Sequence, residues 1–115
     1  MPDPYAYFRG EIIPLADAQI GVMTHAFNYG TAVFEGIRGN WNEDEETTFL
    51  FRVREHYARL EQSCRILNLP FEEDIDNLID LTIEIAAKSG YREDIYIRPL
   101  VYASSEVLGV RLHGL

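Results

Sequence analysis

Lysine and cysteine are almost missing from this chain: of its ten basic residues nine are arginines, the only lysine is Lys88, and the only cysteine is Cys64. One thiol excludes an internal disulfide and a thiolate metal centre, and its place in an amphipathic stretch reads as buried core filler rather than nucleophile. No run approaches the roughly 18 apolar residues that a membrane span requires. The opening MPDPYAYFRG has neither the basic start nor the apolar stretch of a secretory leader, so the expectation is a soluble, cytoplasmic protein with no membrane partner. There is no HExxH, CxxC, GxGxxG or P-loop pattern and no Ser/His/Asp constellation. Glu11 and Glu35 do not form a convincing acid/base pair, so metal chemistry and acyl transfer are poorly supported.

What is present is acid. The net charge is −9, with acidic clusters at 42–46 (NEDEE) and 71–76 (FEEDID), which argues against a nucleic-acid partner and requires any anion site to be local. At 115 residues, 47% apolar and 25% charged, the chain has the balance of one globular domain, 1–115, and is marginal for two. No repeat, low-complexity tract or Ser/Gly-rich linker divides it.

Patterning supplies the elements. YAYFRGEIIPL reads as two short strands around Arg9-Gly10, with Pro14 ending the second. The stretch from His25 reads as sheet, residues 31–38 and 47–53 are aromatic and β-branched strands, and NEDEE suits the solvated connection between them. From Arg54 the period changes. Tyr57, Leu60, Cys64 and Leu67 fall on one helical face, stopped by Asn68 and Pro70; Ile75, Leu78, Ile79, Thr82, Ile83 and Ala86 trace a second stripe. That second helix has Glu72, Glu73 and Asp74 at its positive end, Lys88 in its last turn and Gly90 as its cap. DIYIRPLVYAS resumes the strand pattern, and the tail from Ser105 has no clear period. The predicted fold is α+β: a largely antiparallel sheet with two main helices on one face.

Arginines inside aromatic strands are the first chemical candidates. In FEGIR and YIRPL, Arg38 and Arg98 offer planar forks suited to a carboxylate, unless each faces outward or pairs internally with an acid. Arg59 flanks the buried stripe of the first long helix and reads either as a phosphate contact or as a solvated partner of Glu55 or Glu61. His56 reads as a helix-surface residue, His113 lies in the tail, and His25 is the histidine beside the glycine-containing turn.

In combination and order, HAFNYGTAVFEGIRG, LFRVREHYARLEQSCRILNLP and YIRPLVY resemble the N-terminal small domain of fold-type IV pyridoxal-phosphate aminotransferases, closest to the branched-chain-amino-acid enzymes, over nearly the whole chain. The resemblance implies that Arg59 binds the phosphate of pyridoxal 5'-phosphate and that Phe34, Gly36, Tyr96 and Arg98 line the substrate pocket. It implies that Tyr29 and the Leu108-Gly109-Val110 loop reach the neighbouring subunit's site, hence a homodimer or higher homo-oligomer. Arg38 matches the family motif, as a ligand contact or a holder of its strand. In such a pocket Phe34 and Val110 would supply an apolar wall for leucine, isoleucine and valine. Arg98, helped by the Tyr29 hydroxyl, would receive the side-chain carboxylate of glutamate, and Gly36 would leave space for substrate.

The missing lysine bears directly on that resemblance. Aminotransfer needs a Schiff-base lysine that also shuttles the substrate α-proton, and Lys88 does not match it. The expectation is therefore an inactive first domain whose catalytic lysine lies downstream in a large domain. The whole enzyme would exchange an amino group between branched-chain L-amino acids and 2-oxoglutarate by a ping-pong reaction. D-amino-acid aminotransferases and aminodeoxychorismate lyases share the fold but need different carboxylate receptors. A non-catalytic binding or dimerisation module would equally lack the lysine, and a reading frame continuing past Leu115 would separate the two.

Overall fold

Arg9 and Gly10 decide the first element. Both take positive φ, 53° and 86°, as the central residues of a type I′ turn do. The chain therefore folds straight back, and β1 (Tyr5–Phe8) pairs antiparallel with β2 (Glu11–Pro14). The computed structural model describes residues 2–104. The Leu108-Gly109-Val110 loop, and with it the candidate Val110, lies outside the described residues, as does His113.

HAFNY corrects the first expectation: it is a short helix, α1 (His25–Tyr29), rather than sheet. Local bonds decide it. The Gly30 N–H donates to the Ala26 carbonyl at 2.8 Å, and Asn28 Nδ2 donates to the Val22 and Thr24 carbonyls at 2.8 and 3.1 Å. Gly30 closes the helix at φ 68° with nothing within 4 Å of where a Cβ would stand, so its left-handed backbone, not crowding, is what favours glycine.

Residues 31–38 are likewise not one strand. β3 (Ala32–Phe34) stops, Glu35 and Gly36 intervene, and β4 (Ile37–Asn42) begins. Across from them β6 (Ile95–Ile97) and β7 (Leu100–Tyr102) are separated by Arg98 and Pro99. β3 pairs with β7 and β4 with β6; Phe34 faces Leu100 and Ile37 faces Ile97, so the antiparallel register passes the break without slipping. The Glu35 N–H donates to the Pro99 carbonyl at 3.0 Å, and Pro99 has no N–H to return. FEGIR and YIRPL are thus two sides of one interruption.

β5 (Thr47–Leu50) pairs with the far edge of β4 through the acidic turn. It is shorter than TTFLFRV suggests because Arg52 turns to φ 53° and Val53 opens a helix. All four described strand pairings are antiparallel, in three small sheets. Helices α2 (Val53–Ile66) and α3 (Ile75–Ser89) pack on each other, α2 also meeting β3 and α3 meeting β1. The α+β architecture is the expected one.

The core centres on Ile37, Tyr57, Leu60 and Leu78, with Val33, Ile75, Ile97 and Val101 packed against it. Burying Leu60 and Ile37 contributes about 2 kcal/mol each. The Tyr57 hydroxyl donates to Thr82 Oγ1 at 2.5 Å, since the Thr82 hydrogen goes to the Leu78 carbonyl at 2.7 Å. That joins α2 to α3 for about 1 kcal/mol, less than either apolar side chain. Cys64 is buried, and burial pushes its thiol pKa up, as suits core filler. Both predicted stripes are too wide. Leu67 is 49% exposed because α2 ends at Ile66, and Ile83 is 53% exposed while Leu81 packs against the core instead.

Large apolar side chains remain outside: Val22 is 73% exposed, Phe27 67%, Tyr96 61% and Phe34 55%. Apolar surface of this kind drives association. The isolated chain is expected to self-associate, read as a scattering mass that rises with concentration; a clean monomer at high concentration would contradict this.

Candidate functional site

Alternation along the interrupted strands sorts the candidates into two sets. Val33, Glu35 and Ile37 face the covered side, while Phe34, Arg38, Tyr96, Arg98 and Leu100 are exposed. The break is therefore a site with two faces.

On the open face, the Arg98 guanidinium stacks 4.4 Å over the Phe34 ring, and its Nη2 donates to the Tyr96 hydroxyl at 3.0 Å. The Tyr96 ring lies against Gly36, where a Cβ would come within 2.1 Å of the hydroxyl oxygen. The absence of a Cβ at Gly36 is therefore what admits the Tyr96 side chain. An exposed cation–π contact is worth roughly 0.5–1 kcal/mol, while a hydrogen bond to a charged group is worth about 1.5–3 kcal/mol. The Phe34 contact is thus the weaker of the two that hold Arg98. Arg38 shares the face opposite Tyr96, and its Nε donates to Asn40 Oδ1 at 3.1 Å. Tyr29 ends α1, half exposed, its ring 4.6 Å from that of His25. His25 Nδ1 in turn meets Thr31 Oγ1 at 2.7 Å.

On the covered face the carboxylate of Glu35, 6% exposed, meets two side chains of α2. Arg59 Nε donates to its oxygens at 3.1 and 2.9 Å and Nη2 donates at 2.7 Å, and His56 Nδ1 lies 2.8 Å from Oε1. Arg59 is thus paired, but with neither Glu55 nor Glu61. His56 is not a surface residue, its side chain being only 19% exposed. Sequence reasoning missed both, although the alternation inward from Phe34 signals where Glu35 points. The Arg59 hydrogen bonds hold the Glu35 carboxyl below the usual carboxylate range; burial opposes them and the His56 contact assists them.

Arg59 itself is 68% exposed. With His56, Arg52 and Glu55 it lines an open depression of about 260 Å³. Among the described residues its bonds use Nε and Nη2, which leaves Nη1 for an anion. The donor set therefore fits a phosphate group in a chain that is acidic elsewhere. The lysine does not join it. The Lys88 ammonium lies in the last turn of α3, 4.8 Å over the Tyr5 ring. No group of metal-ligating side chains occurs among the described residues, and no helix among them is long and apolar enough to cross a membrane.

A family profile described as amino-transferase class IV matches residues 32–112. A probable branched-chain-amino-acid aminotransferase of Aquifex aeolicus is 46% identical over 98 residues, 85% of this chain and 32% of that protein. The crystal structure of the Escherichia coli branched-chain amino acid aminotransferase superposes with a TM-score of 0.85 at 36% identity, over 97% of this chain and 36% of that one. The Thermobaculum terrenum enzyme, in its PLP form, gives 0.79 at 38% identity, over 88% and 33%. The chain spans about a third of the length of the relatives it matches.

The Glu35 environment sets a pH dependence. Its folded pKa lies below the unfolded value of about 4.3, so its stabilisation is fully present above that pH and is lost as pH falls through the folded value. Glu35→Gln is expected to flatten the acid limb of melting temperature plotted between roughly pH 3 and 6. Parallel limbs for the two proteins would contradict the assignment.

Proposed function

The chain belongs to the amino-transferase class IV family, and from that membership we propose that it is the N-terminal small domain of a cytoplasmic, pyridoxal-phosphate-dependent branched-chain-amino-acid aminotransferase. The whole enzyme, a homodimer or higher homo-oligomer, exchanges the amino group between leucine, isoleucine or valine and 2-oxoglutarate. The observation that carries this reading is the shared break of FEGIR and YIRPL. It sets an aromatic wall and an arginine fork on one open face, with a second arginine anchored behind.

Two substrates of opposite character must use one pocket. Phe34 offers an apolar surface to a branched side chain, and Arg98 offers its fork to the side-chain carboxylate of glutamate or 2-oxoglutarate. The Tyr96 hydroxyl, already an acceptor for Arg98, keeps the guanidinium at the pocket when no carboxylate is present. Tyr29 would reach the neighbouring subunit's site, while Arg38 braces the strand through Asn40. Arg59 would hold the cofactor phosphate through Nη1. When bound, pyridoxal phosphate serves as the electron sink for the substrate carbanion. Lys88 does not match the family's Schiff-base lysine, and the chain spans about a third of its relatives' length; the lysine that takes up the α-proton would lie in the remainder. This domain alone binds and orients but does not turn over.

The product of the complete reading frame tests the reading by its absorbance with pyridoxal phosphate, before and after leucine is added without a keto acid. Conversion of the bound-cofactor band to the pyridoxamine form is expected; a folded full-length protein with no bound cofactor would leave the chain as a binding module. Within the active enzyme, Arg98→Ala is expected to lower kcat/KM for 2-oxoglutarate by about tenfold or more, the loss of one charge-assisted contact, and to change leucine little. Equal losses for both substrates would remove Arg98 from carboxylate selection.

A further inference from the structure

A buried carboxylate is a costly way to stabilise a strand break. Removing it from water is unfavourable, and an apolar side chain of similar size would fill the same space. Its pairing with Arg59 is also lopsided: Glu35 is 6% exposed and Arg59 68%. The pair offsets the cost of burying the carboxylate rather than exceeding it. What such a pair does supply is orientation. Three donor contacts, from Nε at 3.1 and 2.9 Å and Nη2 at 2.7 Å, fix the plane of the guanidinium. His56 Nδ1, 2.8 Å from Oε1, is a further contact on the same carboxylate.

We infer that Glu35 is a positioning residue for the anion site: it presets the Arg59 fork so that the unshared Nη1 edge meets a phosphate without reorganisation. This rests on the functional reading above and deepens it. Two effects of opposite sign are in play. Glu35 places a negative charge near an anion site, which lowers affinity by Coulomb repulsion. It also removes the rotamer freedom of a long side chain before the anion arrives, which raises affinity. Supporting residues that fix a ligating group in this way are typically worth 10–100-fold in affinity at metal sites, where the effect is best measured. The carboxylate lies behind the arginine, its charge already neutralised at hydrogen-bond distance, so the positioning effect prevails. Simple charge bookkeeping would give the reverse.

The sign is measurable without turnover. Full-length apoenzyme is titrated with pyridoxal phosphate and, separately, with pyridoxal, which has the ring and aldehyde but no phosphate. The wild type should bind the phosphorylated form more tightly, and Glu35→Gln should shrink that preference by about tenfold while leaving pyridoxal affinity unchanged. Inorganic phosphate should also compete less well in the variant. A preference that is unchanged or larger in Glu35→Gln overturns the inference while leaving the functional reading intact. A wild type that makes no distinction between the two ligands overturns the functional reading and the inference together. If Glu35→Gln does not fold, His56→Leu removes the second donor while sparing both Glu35 and Arg59. It should shrink the preference by a few-fold, and an unchanged preference there overturns the inference equally.

Discussion

The carboxylate of Glu35 is the constraint around which the described structure is arranged. It sits on the covered face of a strand pair that would otherwise be apolar on that side, and it survives there because α2 brings Arg59 and His56 to it. The strands stop at that point and resume in the same register beyond it. The break is therefore not a defect in pairing but the place where the sheet receives the helix. Val33 and Ile37 flank the carboxylate and belong to the apolar core, so packing fixes its position along the strand.

From this constraint the separation of tasks follows. Alternation places Phe34, Arg38, Tyr96 and Arg98 on the open face as surely as it turns Glu35 inward. One short segment therefore presents an aromatic and arginine-bearing surface on one side and anchors Arg59 on the other. The use of arginine fits both tasks. Each proposed role relies on a planar fork that can be shared between a holding contact and a ligand, which an ammonium cannot match. In a chain of net charge −9, positive potential has to be built locally, and both forks sit beside this one interruption.

Much of the frame was legible because it is local. The Arg9-Gly10 turn, the acidic hairpin connection, the bounds of α3 and its Gly90 cap follow from neighbouring residues. Family resemblance pointed to the residues of the open face and to Arg59. Other features were hidden because their causes lie far along the chain. The partner of Arg59 is 24 positions away, so spacing on the helix suggested Glu55 or Glu61. The helical turn of HAFNY depends on bonds from Asn28 back to Val22 and Thr24 that aromatic content does not reveal. The contact of Gly36 with Tyr96 comes from a strand far along the chain, so the glycine's neighbour was not visible in FEGIR alone. Leu67 and Ile83 match the helical period, but helix termination and the packing of Leu81 leave them outside.

The most direct test of the account is proton exchange at the arginine Nε–H groups of the full-length protein, followed by nitrogen-15 resonance with selective arginine labelling. Held by both oxygens of a buried carboxylate, the Arg59 Nε–H should exchange slowly and give a resonance that Glu35→Gln abolishes. If every arginine Nε–H exchanges as fast as a free guanidinium, Glu35 does not fix Arg59, and the arrangement described here is wrong at its centre.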